Sequence, residues 1–169
     1  MRPVTAATLM LLALAAPLAA QDRTVGTPPR MPGPSLDTAT MLAQAAIKAC
    51  RAKGDHVAAL VVDADNVPVV LLADDGAVAL AQQLAPRKTA LAIHYKAASG
   101  EIAARAKDDA ALAAEIKADP RMGFALPGAL PLTSGGTQIG AVAVSGGSSP
   151  ESDEACAKAA VAKVHIKPR

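Results

Sequence analysis

The first pattern along the chain is an unbroken apolar run. From Val4 to Ala20 the only polar side chains are Thr5 and Thr8, with Arg2 ahead of the run and Gln21, Asp22 and Arg23 directly behind it. One basic residue, an apolar stretch and a small-residue exit form a secretory signal over residues 1–20. The run is rich in Ala, sits near the spanning minimum of roughly 17–20 residues and has no basic cluster after it, so a cleaved leader fits better than an anchor. Cleavage is expected near Ala20, with Ala13-Leu14-Ala15 as an alternative exit. Residues 21–35 carry prolines and glycines with few apolar side chains and read as a flexible linker.

Helical spacing follows. Leu36, Ala39, Ala43, Ala46, Ile47 and Cys50 share one face behind a cap at Ser35 or Asp37, which predicts a helix ending near Lys53-Gly54. The apolar runs 56–63 and 67–72 flank the turn at Asp65-Asn66 and predict a hairpin, closed by Asp74-Asp75-Gly76. A helical pattern covers 78–98, with Pro86 marking a break or a new first turn. Ser99 is placed to cap a segment at 101–107, and Asp108-Asp109 open another Ala-rich helical stretch reaching Ala118 before Pro120. The runs 124–132 and 138–145, around Ser134-Gly135-Gly136-Thr137, predict a second hairpin. Ser149-Pro150-Glu151 starts a last helix through 153–164, with Cys156, Ala159, Ala160 and Lys163 on one face. This order predicts a single α+β domain over residues 36–165: an antiparallel sheet of about four to five strands with helices packed on it.

Composition narrows the function classes. Removing 20 of the 169 residues leaves enough chain for one core. Tyr95 and Phe124 are the only aromatic residues, so that core is built from Ala, Val, Leu and Ile in closely packed elements. The formal charge is +2, and loss of Arg2 with the leader leaves it near neutral. With neither a basic patch nor a stacking platform, nucleic acid is not an expected partner. No stable membrane insertion is expected once the leader is removed, and the protein is placed in the periplasm or outside the cell. Cys50 and Cys156 are 106 residues apart, without a CxxC or a nearby His pair, so no metal site is expected. In an oxidising compartment the pair reads first as a disulfide, with two buried thiols as the alternative. The bridge requires the first and last helices to lie side by side.

Several blocks resemble one family. Leu126-Pro127-Gly128-Ala129-Leu130-Pro131-Leu132, then Gly140-Ala141-Val142-Ala143-Val144-Ser145-Gly146-Gly147, then Asp153-Glu154 before an Ala-rich helix are similar to the strands and helix start of GlcG/HbpS proteins. Val61-Val62-Asp63-Ala64-Asp65-Asn66 and Asp75-Gly76-Ala77 match the N-terminal half. The resemblance covers essentially residues 36–164. It implies an α/β/α domain that assembles into homo-oligomers and, in some members, binds haem. The chain departs from the family pattern at Ala73, where the family has Arg, at Leu91, where it has Thr, and at Ala98-Ser99-Gly100, where it has P-T-S.

Haem requires an apolar slot, axial ligands drawn from His, Met, Tyr or Cys, and cations for its propionates. The candidates are His56, His94, His165, Met41, Met122 and Tyr95. His94 and Tyr95 lie in the segment the family uses for its pocket. Lys88, Leu91, Ala92 and Tyr95 share a helix face with His94 at its flank, so Lys88 or Arg87 would meet a propionate. Otherwise His94 is an exposed helical residue and Tyr95 a lone core aromatic. His56 and His165 read as surface residues. Gly146, Gly147 and Ser148 precede a helix N-terminus and form a minor candidate for binding a carboxylate or phosphate, although as a strand exit they also serve the fold. No catalytic residues are nominated: Ser145 is not in a nucleophile elbow, and the acidic pairs fall at turns and helix starts. The leading expectation is a non-enzymatic exported protein carrying haem or a related tetrapyrrole. The alternatives are an enzyme acting on haem or on a small hydroxy acid or aldehyde, and a sensory or structural partner-binding module.

Overall fold

A computed structural model describes residues 31–169; the expected leader and residues 21–30 of the linker lie outside that range. Nine elements follow one another: α1 (Leu36–Arg51), β1 (Ala58–Asp63), β2 (Pro68–Ala73), α2 (Ala79–Tyr95), α3 (Ser99–Asp108), α4 (Ala110–Ala118), β3 (Ala129–Ser134), β4 (Thr137–Ser145) and α5 (Pro150–Val161). The strands form one antiparallel sheet in the order β2-β1-β4-β3. The α+β expectation holds, with four strands.

Central strand β1 is buried along its whole length because both faces are covered. Its period-two alternation sends Ala59 and Val61 toward α1 and α5, together with Val142 and Val144 of β4. Leu60 and Val62 point the other way, with Ala141, Ala143 and Ala129, onto Ala85 and Ala92 of α2. Methyl side chains on both partners let α2 lie close to the sheet. A third cluster, of Leu91, Ile102, Leu112, Ile116 and Met122, ties α3 and α4 to the outer side of α2.

The caps at Ser35, Asp109 and Ser149 fall where the sequence places them: each side-chain oxygen accepts an amide three residues on. Cys50 and Cys156 are joined as a disulfide, with Cα atoms 5.5 Å apart where α1 runs beside α5.

Three local expectations are corrected. Pro86 does not interrupt α2. It is exposed, while buried Ala81, Ala85, Lys88 and Leu91 on either side anchor the helix, so packing outweighs the lost backbone bond. Ser99 does not cap α3; it is the first residue of the helix, and its buried hydroxyl accepts the Ala129 amide at 2.9 Å. The strand expected at 124–132 begins only at Ala129, and the preceding irregular segment becomes one wall of a groove.

Candidate functional site

Helices α3 and α4 meet at Asp109, which ends one and caps the other through the Leu112 amide at 2.9 Å. Ile102, Leu112 and Ile116 turn inward, leaving Ala104 on α3 and Ala113 on α4 exposed on the other side. Ala155 of α5 lies opposite. Between these alanines and residues 123–127 runs a groove of about 760 Å3, within the span of roughly 300–1,000 Å3 usual for small-molecule sites. Its walls are mostly apolar, and Phe124 is its only aromatic side chain.

The loop wall is held from two sides. Gly123, with φ of +74°, donates its amide to Ile116 at 3.1 Å and Asp119 at 2.9 Å. Arg87 donates to the Met122 carbonyl at 3.3 Å and stacks over Phe124, 5.6 Å from its centroid.

Acidic residues of α5 hold the inner end. Buried Glu154 accepts the Gly100 amide at 2.8 Å and the Gly128 amide at 3.3 Å, and pairs with Lys158 at 2.7 Å. One carboxylate thus joins the start of α3, the loop before β3 and α5. Beside it, Lys88 Nζ lies 2.6 Å from Asp153 and 3.0 Å from the Val144 carbonyl, almost wholly shielded from water. That burial lowers the Lys88 pKa, and Asp153 opposes the shift. Neither acid is a merely local first-turn group, as the sequence reading had them. Their spacing with Cys156, Ala157 and Ala160 already put Asp153 on the inward stripe.

The groove's remaining titratable groups are Lys107 and Lys117, each in the last turn of its helix, and Glu151. Among the described residues Lys117 makes no ion pair. Three lysines and two glutamates therefore line a mostly apolar groove, with Lys158 paired to Glu154.

The sequence-nominated residues separate. Lys88 and Leu91 are sealed inside the protein, 2% and 0% exposed, and line neither this groove nor a smaller cleft beside Ile93 and Gln138. Arg87 does not line the groove but braces its loop wall through the Met122 carbonyl and Phe124. His94 and Tyr95 stand edge to face, 4.6 Å between centroids, and both turn to Glu115: the Tyr95 hydroxyl donates at 3.0 Å and His94 Nε2 lies 3.6 Å away. Burial first, then Glu115, pushes the Tyr95 pKa up to about 12. Neither residue lines the groove or that smaller cleft, of about 470 Å3.

The strand exit does bind carboxylates, but they are the chain's own. Gly147 donates to Asp153 at 2.8 Å, and Ser148 donates its amide to Asp55 at 2.9 Å. The Ser148 and Ser152 hydroxyls also donate to Asp55. These bonds, led by Ser152, hold the Asp55 carboxyl below the usual range. Gly146, at φ of +106°, packs so tightly on Ala81 that a Cβ there would come within 2.8 Å of the alanine methyl.

His56 and Asp74 were missed as partners. Asp74, expected to act locally in a turn, is buried, pairs with Arg51 and takes His56 Nδ1 at 3.2 Å. The pairing spans 18 residues and has no periodic signal.

The fold has counterparts. The solved structure of HbpS is 34% identical, with 76% of this chain and 87% of that chain covered and a TM-score of 0.69. A doubly substituted HbpS from Streptomyces reticuli is 32% identical over 89% of this chain and 97% of its own, also at 0.69. A complex described as PduOC with heme is 27% identical over 79% and 96%, at 0.70. No curated protein sequence matches. The model of the family described as "Haem degrading protein HbpS-like" matches residues 35–162, and the chain belongs to the HbpS-like family.

Proposed function

We propose that this chain is an exported binding protein that holds haem or a related tetrapyrrole in the groove between α3, α4, α5 and residues 123–127. The observation that carries the reading is the groove itself: apolar, large enough, with Phe124 in one wall and Lys107 and Lys117 at helix ends. The haem complex of a relative with the same fold supports it.

The ring body suits the alanine-lined walls, and the propionates suit the two lysines. The lining includes no His, Met, Tyr or Cys, so the groove of one chain supplies no customary axial ligand. Bound haem would bring redox-active iron; the protein's part is enclosure and charge. Glu154 is already committed to two amides and Lys158, which favours binding over turnover.

Export rests on the apolar opening run and on the disulfide. Among the described residues no helix is long and apolar enough to cross a membrane. Assembly into a homo-oligomer, implied by the family resemblance, belongs to the same reading. Titrating the purified protein with haemin and following the Soret band tests it: a saturable shift is expected, and none at micromolar protein would refute it.

A further inference from the structure

We propose that the groove recognises a porphyrin by its ring faces and its carboxylates rather than by its iron, so that metal-free porphyrin binds about as well as haem. The inference rests on the groove reading above and specifies its ligand class: flat, apolar macrocycles with two anionic arms, metallated or not.

None of the customary iron-ligating side chains lines the groove. Met122 is 1% exposed, its side chain packed in the α2, α3 and α4 cluster. His94 and Tyr95 engage Glu115 outside the groove. His56 engages Asp74, and both cysteines are consumed in the disulfide. What the groove does present is area and charge. Ala104, Ala113 and Ala155 line it from three different helices, Phe124 adds a ring face, and Lys107 and Lys117 add cations. Each works equally on a porphyrin with or without a metal, because burial depends on apolar area and the lysines act on the propionates.

The test is a titration of the purified protein with haemin, protoporphyrin IX, zinc protoporphyrin and protoporphyrin dimethyl ester. With no Trp in the chain, the ligand's own absorbance or emission is the readout. The first three should bind with Kd values within about threefold of one another, and the ester at least about tenfold more weakly. His94→Ala, Tyr95→Phe and His56→Ala should leave haemin binding unchanged. Saturable haemin binding with no protoporphyrin binding would overturn the inference while sparing the haem reading, and so would loss of haemin binding in one of those variants with the fold intact by circular dichroism. Failure of haemin and protoporphyrin alike would remove the haem reading itself.

Discussion

Lys88 and Asp153 form a buried ion pair, Nζ to Oδ2 at 2.6 Å, that joins the middle of α2 to the first turn of α5. Lys88 also donates to the Val144 carbonyl, and its side chain passes beside Gly128, where φ is +134° and no Cβ intrudes. The pair therefore locks the end of β4, the loop before β3 and the helix carrying Glu154 into one unit.

Removing one partner leaves a charge stranded in a dry site. Lys88→Met or Asp153→Asn should each lower unfolding free energy by about 3–5 kcal/mol, whereas the double change Lys88→Met with Asp153→Leu should recover most of the loss. Urea denaturation of the three variants checks this; equal losses in the double and single variants would contradict it.

Tyr95 offers a direct view of the α2 and α4 contact, being the only tyrosine in the chain. Burial and the Glu115 carboxylate both disfavour its phenolate, so its titration should centre at about 12 rather than near 10. Glu115→Gln should bring it part of the way down. Ultraviolet absorbance through alkaline pH measures both, and an ordinary midpoint would place Tyr95 elsewhere.

Asp55 and Asp74 are two of the carboxyls that make stability sensitive to acid. Hydroxyl donors led by Ser152 lower the Asp55 pKa, and the Arg51 guanidinium lowers that of Asp74, each against a smaller opposing effect of burial. Folded values below unfolded ones mean that both groups favour folding above roughly pH 4, near the unfolded Asp value, and lose that contribution as pH falls through the folded values. Stability should therefore drop steeply below about pH 4. Asp55→Asn should be less stable at pH 7 and show a shallower acid slope, measured by denaturant unfolding across pH.

Much of this structure was legible in the sequence, for reasons that differ by element. The apolar runs 56–63 and 138–145 predict the two inner strands, because burial on both faces demands continuous apolar residues. The inward positions of Cys50 and Cys156 came from helical spacing, and the bridge followed once α1 and α5 lay together. Pro86 misled because its local penalty is small beside the packing of α2. The groove was not legible: its walls are exposed alanines, which carry no periodic signal of their own. Residues 124–128 look like a strand by composition, yet ladder pairing begins at Ala129, with Gly128 accepting the Val144 amide at 2.8 Å at a positive φ just before it. Lys88 reads as a propionate partner because it shares a helix face with Leu91, Ala92 and Tyr95 in the segment the resembled family uses for its pocket; its counter-charge lies 65 residues away on α5.

The disulfide closes a loop of 106 residues between α1 and α5. In the chain-entropy treatment its loss costs at most about 4–5 kcal/mol. Unfolded, unreduced protein should show no free thiol, and reduction should lower the urea midpoint; two titratable thiols before reduction would contradict the bridge.

The central claim is that the α3, α4 and α5 groove is where the ligand sits. Ala104 is exposed and lines that groove, so Ala104→Trp fills the space without entering the core. Haemin titration of the wild type and this variant, with stability measured in parallel, is the direct test. Saturable wild-type binding that weakens by at least about tenfold in Ala104→Trp, at unchanged stability, is the predicted result. Equal affinity in the two proteins would place the haem elsewhere and contradict the account.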